Sequence, residues 1–147
     1  MKRPLHIIIL TILAITKAKA CDCVYYHLEK SISITDFILI GKFIQGEKLW
    51  ELSEMGHGAA TLYYTGKFIV TKVVKGRKLK VGDTLLVSSD FSNCSTLYKN
   101  NTNYLLFASF KEGELKTSIC SYTGMLDNED TQKVYKQTTR LMKKRLL

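Results

Sequence analysis

Four cysteines constrain this chain more than any other feature: Cys21 and Cys23 are one residue apart, and Cys94 and Cys120 follow far downstream. What precedes Cys21 has the form of an export signal. Lys2 and Arg3 are followed by an apolar run from Leu5 to Ile15, and Ala18-Lys19-Ala20 supplies the small residues a signal peptidase accepts. The run is shorter than the roughly 20 residues that span a bilayer. Residues 1–20 therefore read as a signal peptide and residues 21–147 as a single domain, secreted or extracytoplasmic. An even cysteine count behind such a signal implies two disulfides. Of the three pairings, one joins Cys21 to Cys23 and closes an uncomfortably small ring. The spacing leaves the other two open.

Charge narrows the partners. The chain carries +9, but the first twenty residues hold four basic and no acidic residues, which leaves +5 for the remainder. That is too little for a dedicated nucleic-acid binder, so none is expected. Nor does the sequence look like an enzyme. His27 and His57 are the only histidines after Cys21, with no phosphate loop and no zinc-binding helix. A Cys-x-x-Cys redox motif is missing too, and neither a cofactor nor a metal of its own is expected.

Strand signals recur along the domain. Asp36–Gln45, Thr61–Val74, Asp83–Ser88, Tyr104–Phe110 and Leu115–Ile119 are rich in β-branched, aromatic and aliphatic residues. Lys111-Glu112-Gly113-Glu114 marks a hairpin turn, and Gly41 and Gly66 inside long strand patterns predict bulges or bends. Gly46–Ala60, with Trp50, Met55 and His57, reads as a polar loop. Beyond Glu129 the pattern becomes helical, with Val134, Thr138, Leu141 and Arg145 on one stripe. Asp127, Asn128 and Asp130 lie at its start and Lys143, Lys144 and Arg145 at its end, as the helix dipole favours. The expected fold is mainly β: a five-stranded, OB-fold-like closed barrel with a C-terminal α-helix and a disulfide-stapled N-terminal segment.

With these elements placed, residues Cys21 to Thr123 resemble the netrin-like family, and within it the N-terminal domain of tissue inhibitors of metalloproteinases. The resemblance is carried by Cys21-Asp22-Cys23, Phe37-Ile38-Leu39-Ile40-Gly41-Lys42-Phe43, the run Phe68 to Gly76, Ser92-Asn93-Cys94, Tyr104-Leu105-Leu106-Phe107-Ala108, and Leu115 to Ser121. It implies the pairings Cys21–Cys94 and Cys23–Cys120. It also implies an inhibitory ridge made of Cys21, Asp22, Cys23 and Val24 beside Ser92, Asn93, Cys94 and Ser95. In such inhibitors the α-amine and carbonyl oxygen of the first cysteine chelate the catalytic zinc of a target metallopeptidase. Three departures stand out. Asp22 occupies a position usually held by an uncharged Thr or Ser, Tyr25 and Tyr26 replace the usual prolines, and the family's third disulfide has no cysteines here.

Inhibition of a zinc metallopeptidase is thus the first functional reading. The second is a binding module without inhibition, for proteins, acidic glycans or an anionic membrane surface. Its candidate basic patch comprises Lys75, Arg77, Lys78 and Lys80 in one turn, with Lys133, Lys136, Arg140 and Lys144 on one helical face. Lipid attachment at Cys21 is a lesser alternative, because lysine sits beside the cleavage site and no large aliphatic residue lies three before the cysteine.

Overall fold

The computed structural model describes Cys23 and residues 26–50, 62–89, 96–118 and 120–145, apart from the side chains of 47–50 and 62–64. In chain order the elements are α1 (Leu28–Ile34), β1 (Phe37–Trp50), β2 (Leu62–Lys75), β3 (Thr84–Ser89), β4 (Asn103–Lys111), β5 (Glu114–Thr117), β6 (Gly124–Met125) and α2 (Glu129–Arg145). The strands pair in the order β1-β2-β3-β5-β4-β6, and β1 also pairs with β4, which closes a five-stranded barrel. All barrel ladders are antiparallel except the three-residue parallel contact of β3 with β5.

Closure depends on β1. Its first half, Phe37–Lys42, is hydrogen-bonded to β4 on one side while the same strand pairs with β2 on the other. Five register shifts along the β1–β2 ladder coil these long strands around the barrel. Two of the shifts fall at the Ile40/Gly41 and Gly46/Lys48 steps, close to the glycines that predicted bends. The predicted polar loop begins too early, because Gly46–Trp50 continues β1 and pairs with Leu62–Gly66. Residues 51–61, with Met55 and His57, lie outside the described residues. β5 ends at Thr117, two residues short of the predicted strand.

Two apolar layers hold the fold. Inside the barrel, Phe43, Phe68, Tyr98 and Tyr104 are fully buried and meet edge to face or stacked, with ring centroids 4.9–5.9 Å apart. Outside it, Ile32, Ile38, Leu105 and Phe107 form a second cluster against which Val134, Leu141 and Met142 of α2 pack. Tyr104 to Ala108 is buried on both faces for this reason, with Leu106 and Ala108 in the inner cluster and Leu105 and Phe107 in the outer. An unbroken apolar run in sequence is what such a doubly covered strand requires.

α1 and β6 carry no clear sequence signal. α1 is seven residues with two serines and two isoleucines, too short to persist on propensity. Burial of Ile32 contributes about 2 kcal/mol towards holding it in place. At the start of α2, Asn128 Oδ1 accepts hydrogen bonds from the backbone N–H of Asp130 (2.9 Å) and Thr131 (3.3 Å), so Asn128 is the cap. Asp130 instead pairs with Lys133 at 3.0 Å.

Thr138, on the buried stripe of α2, has no exposed surface, and its hydroxyl finds no hydrogen-bond partner. Thr138→Val keeps the shape and removes an orphaned hydroxyl. It should raise stability by about 1 kcal/mol in denaturant unfolding. A loss of stability would mean the hydroxyl is bonded.

Candidate functional site

The N-terminal segment is fastened to the barrel at successive points. Cys23 forms a disulfide with Cys120, their Cα atoms 5.2 Å apart. Three residues further on, the Tyr122 hydroxyl donates to the Tyr26 carbonyl oxygen at 2.9 Å. α1 then begins, and the Arg145 guanidinium reaches from the end of α2 to the Glu29 carbonyl oxygen at 3.4 Å.

Lys75 fastens the far end of α1. Its Nζ donates to the carbonyl oxygens of Ile32 (2.7 Å), Ser33 (3.3 Å) and Thr35. Carbonyls at a helix C-terminus have no partners within the helix, and a cation there also suits the dipole. Burial pushes the Lys75 pKa below the usual lysine value, Asp36 opposes that shift, and Arg145 adds to it. Lys75 therefore leaves the basic patch to which sequence spacing assigned it. Arg77, Lys78 and Lys80 stay exposed in the β2–β3 turn, and Lys133, Lys136, Arg140 and Lys144 are exposed on one face of α2.

The loop carrying Cys120 is itself braced. Ser121 Oγ donates to the Ser118 carbonyl oxygen at 2.6 Å, and the Phe107 N–H donates to Thr123 Oγ1 at 2.9 Å. Three residues before Cys120, Thr117 lies beside Ser89 in the β3–β5 ladder. Ser89 Oγ in turn accepts from the Thr96 N–H at 2.6 Å, and the Tyr98 hydroxyl lies 3.4 Å from Thr117 Oγ1. A continuous path thus joins Cys23 to Cys120, Cys120 to Thr117, Thr117 to Ser89 and Ser89 to Thr96. The N-terminal staple and the chain on either side of residues 90–95 occupy the same end of the barrel.

Of the predicted ridge, only Cys23 falls within the described residues; Cys21, Asp22, Val24, Ser92, Asn93, Cys94 and Ser95 lie outside them. Tyr122, Ser89 and Thr96, which position the two flanks, were not foreseen. Their roles depend on contacts between distant segments, although the nearness of Tyr122 to Cys120 is a usable hint. Among the described residues, no three His, Cys, Asp or Glu side chains gather to hold a metal.

A barrel closed through a short parallel contact, a C-terminal helix packed on its outside and a cysteine staple beside the mouth form a recognisable combination. A family model described as "Tissue inhibitor of metalloproteinase" matches residues 19–141 of the 147. The chain belongs to the tissue inhibitor of metalloproteinase family. No curated protein matches it. Proteins of this family inhibit rather than catalyse, so metalloproteinases are the partner class that membership suggests. The disulfide agrees with the extracellular setting usual for tissue inhibitor domains.

Proposed function

We propose that the chain is exported, is cleaved before Cys21, and inhibits a zinc metallopeptidase through the ridge Cys21–Val24 and Ser92–Ser95. Residues 21–147 act as one domain. The Cys21 α-amine and carbonyl oxygen bind the target's zinc where the attacking water would sit, since an open catalytic zinc site accepts nitrogen and oxygen donors.

The observation that supports this reading most is the common location of the two anchors, Cys23–Cys120 and Ser89–Thr96. In sequence, Cys21 is two residues from Cys23 and Cys94 two from Thr96, so each anchor adjoins one of the two cysteines the resemblance pairs. A Cys21–Cys94 bond would hold both zinc donors in a fixed orientation and lower the ordering cost of binding.

Asp22 sets the target class. A carboxylate entering an apolar specificity pocket loses its hydration without compensation, at a cost of several kcal/mol. The reading therefore favours a peptidase whose pocket carries a cation.

The test is inhibition by the chain beginning at Cys21, assayed on zinc endopeptidases with apolar and with basic specificity pockets. One added alanine before Cys21 should weaken inhibition at least a hundredfold, because an amide nitrogen replaces the zinc-binding amine. Below about pH 8 inhibition should weaken about tenfold per unit, since the protonated amine must first release its proton. Asp22→Thr should improve inhibition of the apolar-pocket enzymes. Full potency in the extended chain, or an exported protein whose mass shows a blocked Cys21, would refute the mechanism.

A further inference from the structure

The barrel's outer surface across β1, β2 and β3 combines two kinds of side chain that α2 then extends. Lys42, Lys67 and Lys72 are exposed there. Among them Ile44, Ile69 and Leu86 remain 46%, 37% and 47% exposed. The ladders set Lys42 opposite Ile69, and Lys67 opposite Leu86, so cation and aliphatic side chains alternate across adjacent strands. Lys72 Nζ lies 5.3 Å from the ring centroid of Tyr135, which carries the surface over to α2. From Thr131 to Arg145 that helix has six cations and no acidic residue. Lys136, Arg140 and Lys143 are exposed along it.

We propose that this face docks on an anionic phospholipid bilayer. Lysine and arginine heads complement lipid phosphates, and their aliphatic stems lie along the apolar groups between them. Half-exposed isoleucine and leucine can enter the boundary between headgroups and acyl chains. A sulfated glycan would use the cations but would leave the three aliphatic side chains in water, so the mixed chemistry selects the bilayer. The contact is peripheral: among the described residues no helix is long and apolar enough to cross a membrane. It is independent of the peptidase reading and uses none of the ridge.

The experiment is co-sedimentation of the chain beginning at Cys21 with vesicles of phosphatidylglycerol and phosphatidylcholine, and with phosphatidylcholine alone. Binding should require the anionic lipid and fall steeply with added salt. Replacing Lys136, Arg140 and Lys143 together by Gln removes three surface charges and should weaken partitioning on the order of a hundredfold. Ile69→Ser with Leu86→Ser should weaken it about tenfold while leaving retention on heparin unchanged. Should that pair fail to fold by circular dichroism, Ile44→Ser alone gives the same discrimination with a smaller effect. The proposal is overturned if the wild-type chain ignores anionic vesicles or binds neutral ones equally well. It is equally overturned if the folded aliphatic variants bind vesicles as the wild type does, because the face would then read charge alone, as an acidic-glycan site does.

Discussion

Cys23→Ala combined with Cys120→Ala should lower stability by about 4 kcal/mol, a fall in melting temperature of roughly 15 °C. The two cysteines are 97 residues apart, so the bond closes most of the domain into one loop. Cutting it releases that conformational freedom in the unfolded chain, and the gain grows with the logarithm of loop length. The folded barrel loses little directly, because no core residue is removed and Tyr122 still holds Tyr26. Differential scanning calorimetry of the variant against the parent chain measures the loss. The proposed Cys21–Cys94 bond makes a further expectation: adding reductant to the variant should lower its melting temperature again. A drop below about 1 kcal/mol in the double variant would show that the other contacts alone keep the N-terminal segment in place.

The second large effect belongs to Gly66→Ala. A Cβ built at Gly66 would lie 2.1 Å from Cε2 and 2.8 Å from Cδ2 of Phe43, closer than real carbon contacts come. Phe43 has no free direction in which to yield. Its ring is fully buried, edge to face with Phe68 at 5.3 Å and stacked on Tyr98 at 5.8 Å. Either the aromatic cluster repacks or the β1–β2 ladder shifts, and close-packed interiors resist both. The expected loss is about 3 kcal/mol, at the upper end for overpacking. Shortening the obstructing ring supplies the control. Phe43→Leu alone should destabilise, but in the Gly66→Ala background it should recover part of the loss, giving a favourable coupling of at least 1 kcal/mol in a double-mutant cycle. Strict additivity would show that the strain lies in the backbone and not against the ring.

How much was legible in the sequence varies with how local the cause is. α2 is visible because Val134, Thr138 and Leu141 repeat at helical spacing and an asparagine cap precedes them. β4 is visible because a strand covered on both faces must be apolar throughout. The β4–β5 turn is visible because Gly113 suits a left-handed position, where φ is 80°, and Glu112 before it is carried into the same region at 55°. β1 runs beyond its apolar pattern because backbone pairing to Leu62–Gly66 supports polar residues that propensity would leave in a loop. α1 escapes notice because burial of Ile32 and the ammonium of Lys75 supply its stability, and Lys75 lies more than forty residues away.

The candidate ridge divides in the same way. The resemblance implied the Cys23–Cys120 partnership, and the disulfide is there. The clamp of Thr96 on Ser89 and the reach of Tyr122 to Tyr26 could not be read, because each joins segments whose proximity follows from the barrel. Spacing also misplaced Lys75. Three residues of a basic turn face solvent, and the fourth turns towards α1.

The sequence alone determined the apolar centres of the five barrel strands, the C-terminal helix, the positions open to cross-linking and the excess of positive charge. Each is written into a few neighbouring residues or into composition. The tertiary structure decided that β1 closes on β4, that β3 meets β5 in parallel, and that Lys72 of β2 reaches Tyr135 of α2. These pairings connect residues tens of positions apart. No local preference encodes them; they are selected because only a closed barrel buries both apolar layers while satisfying its strand edges.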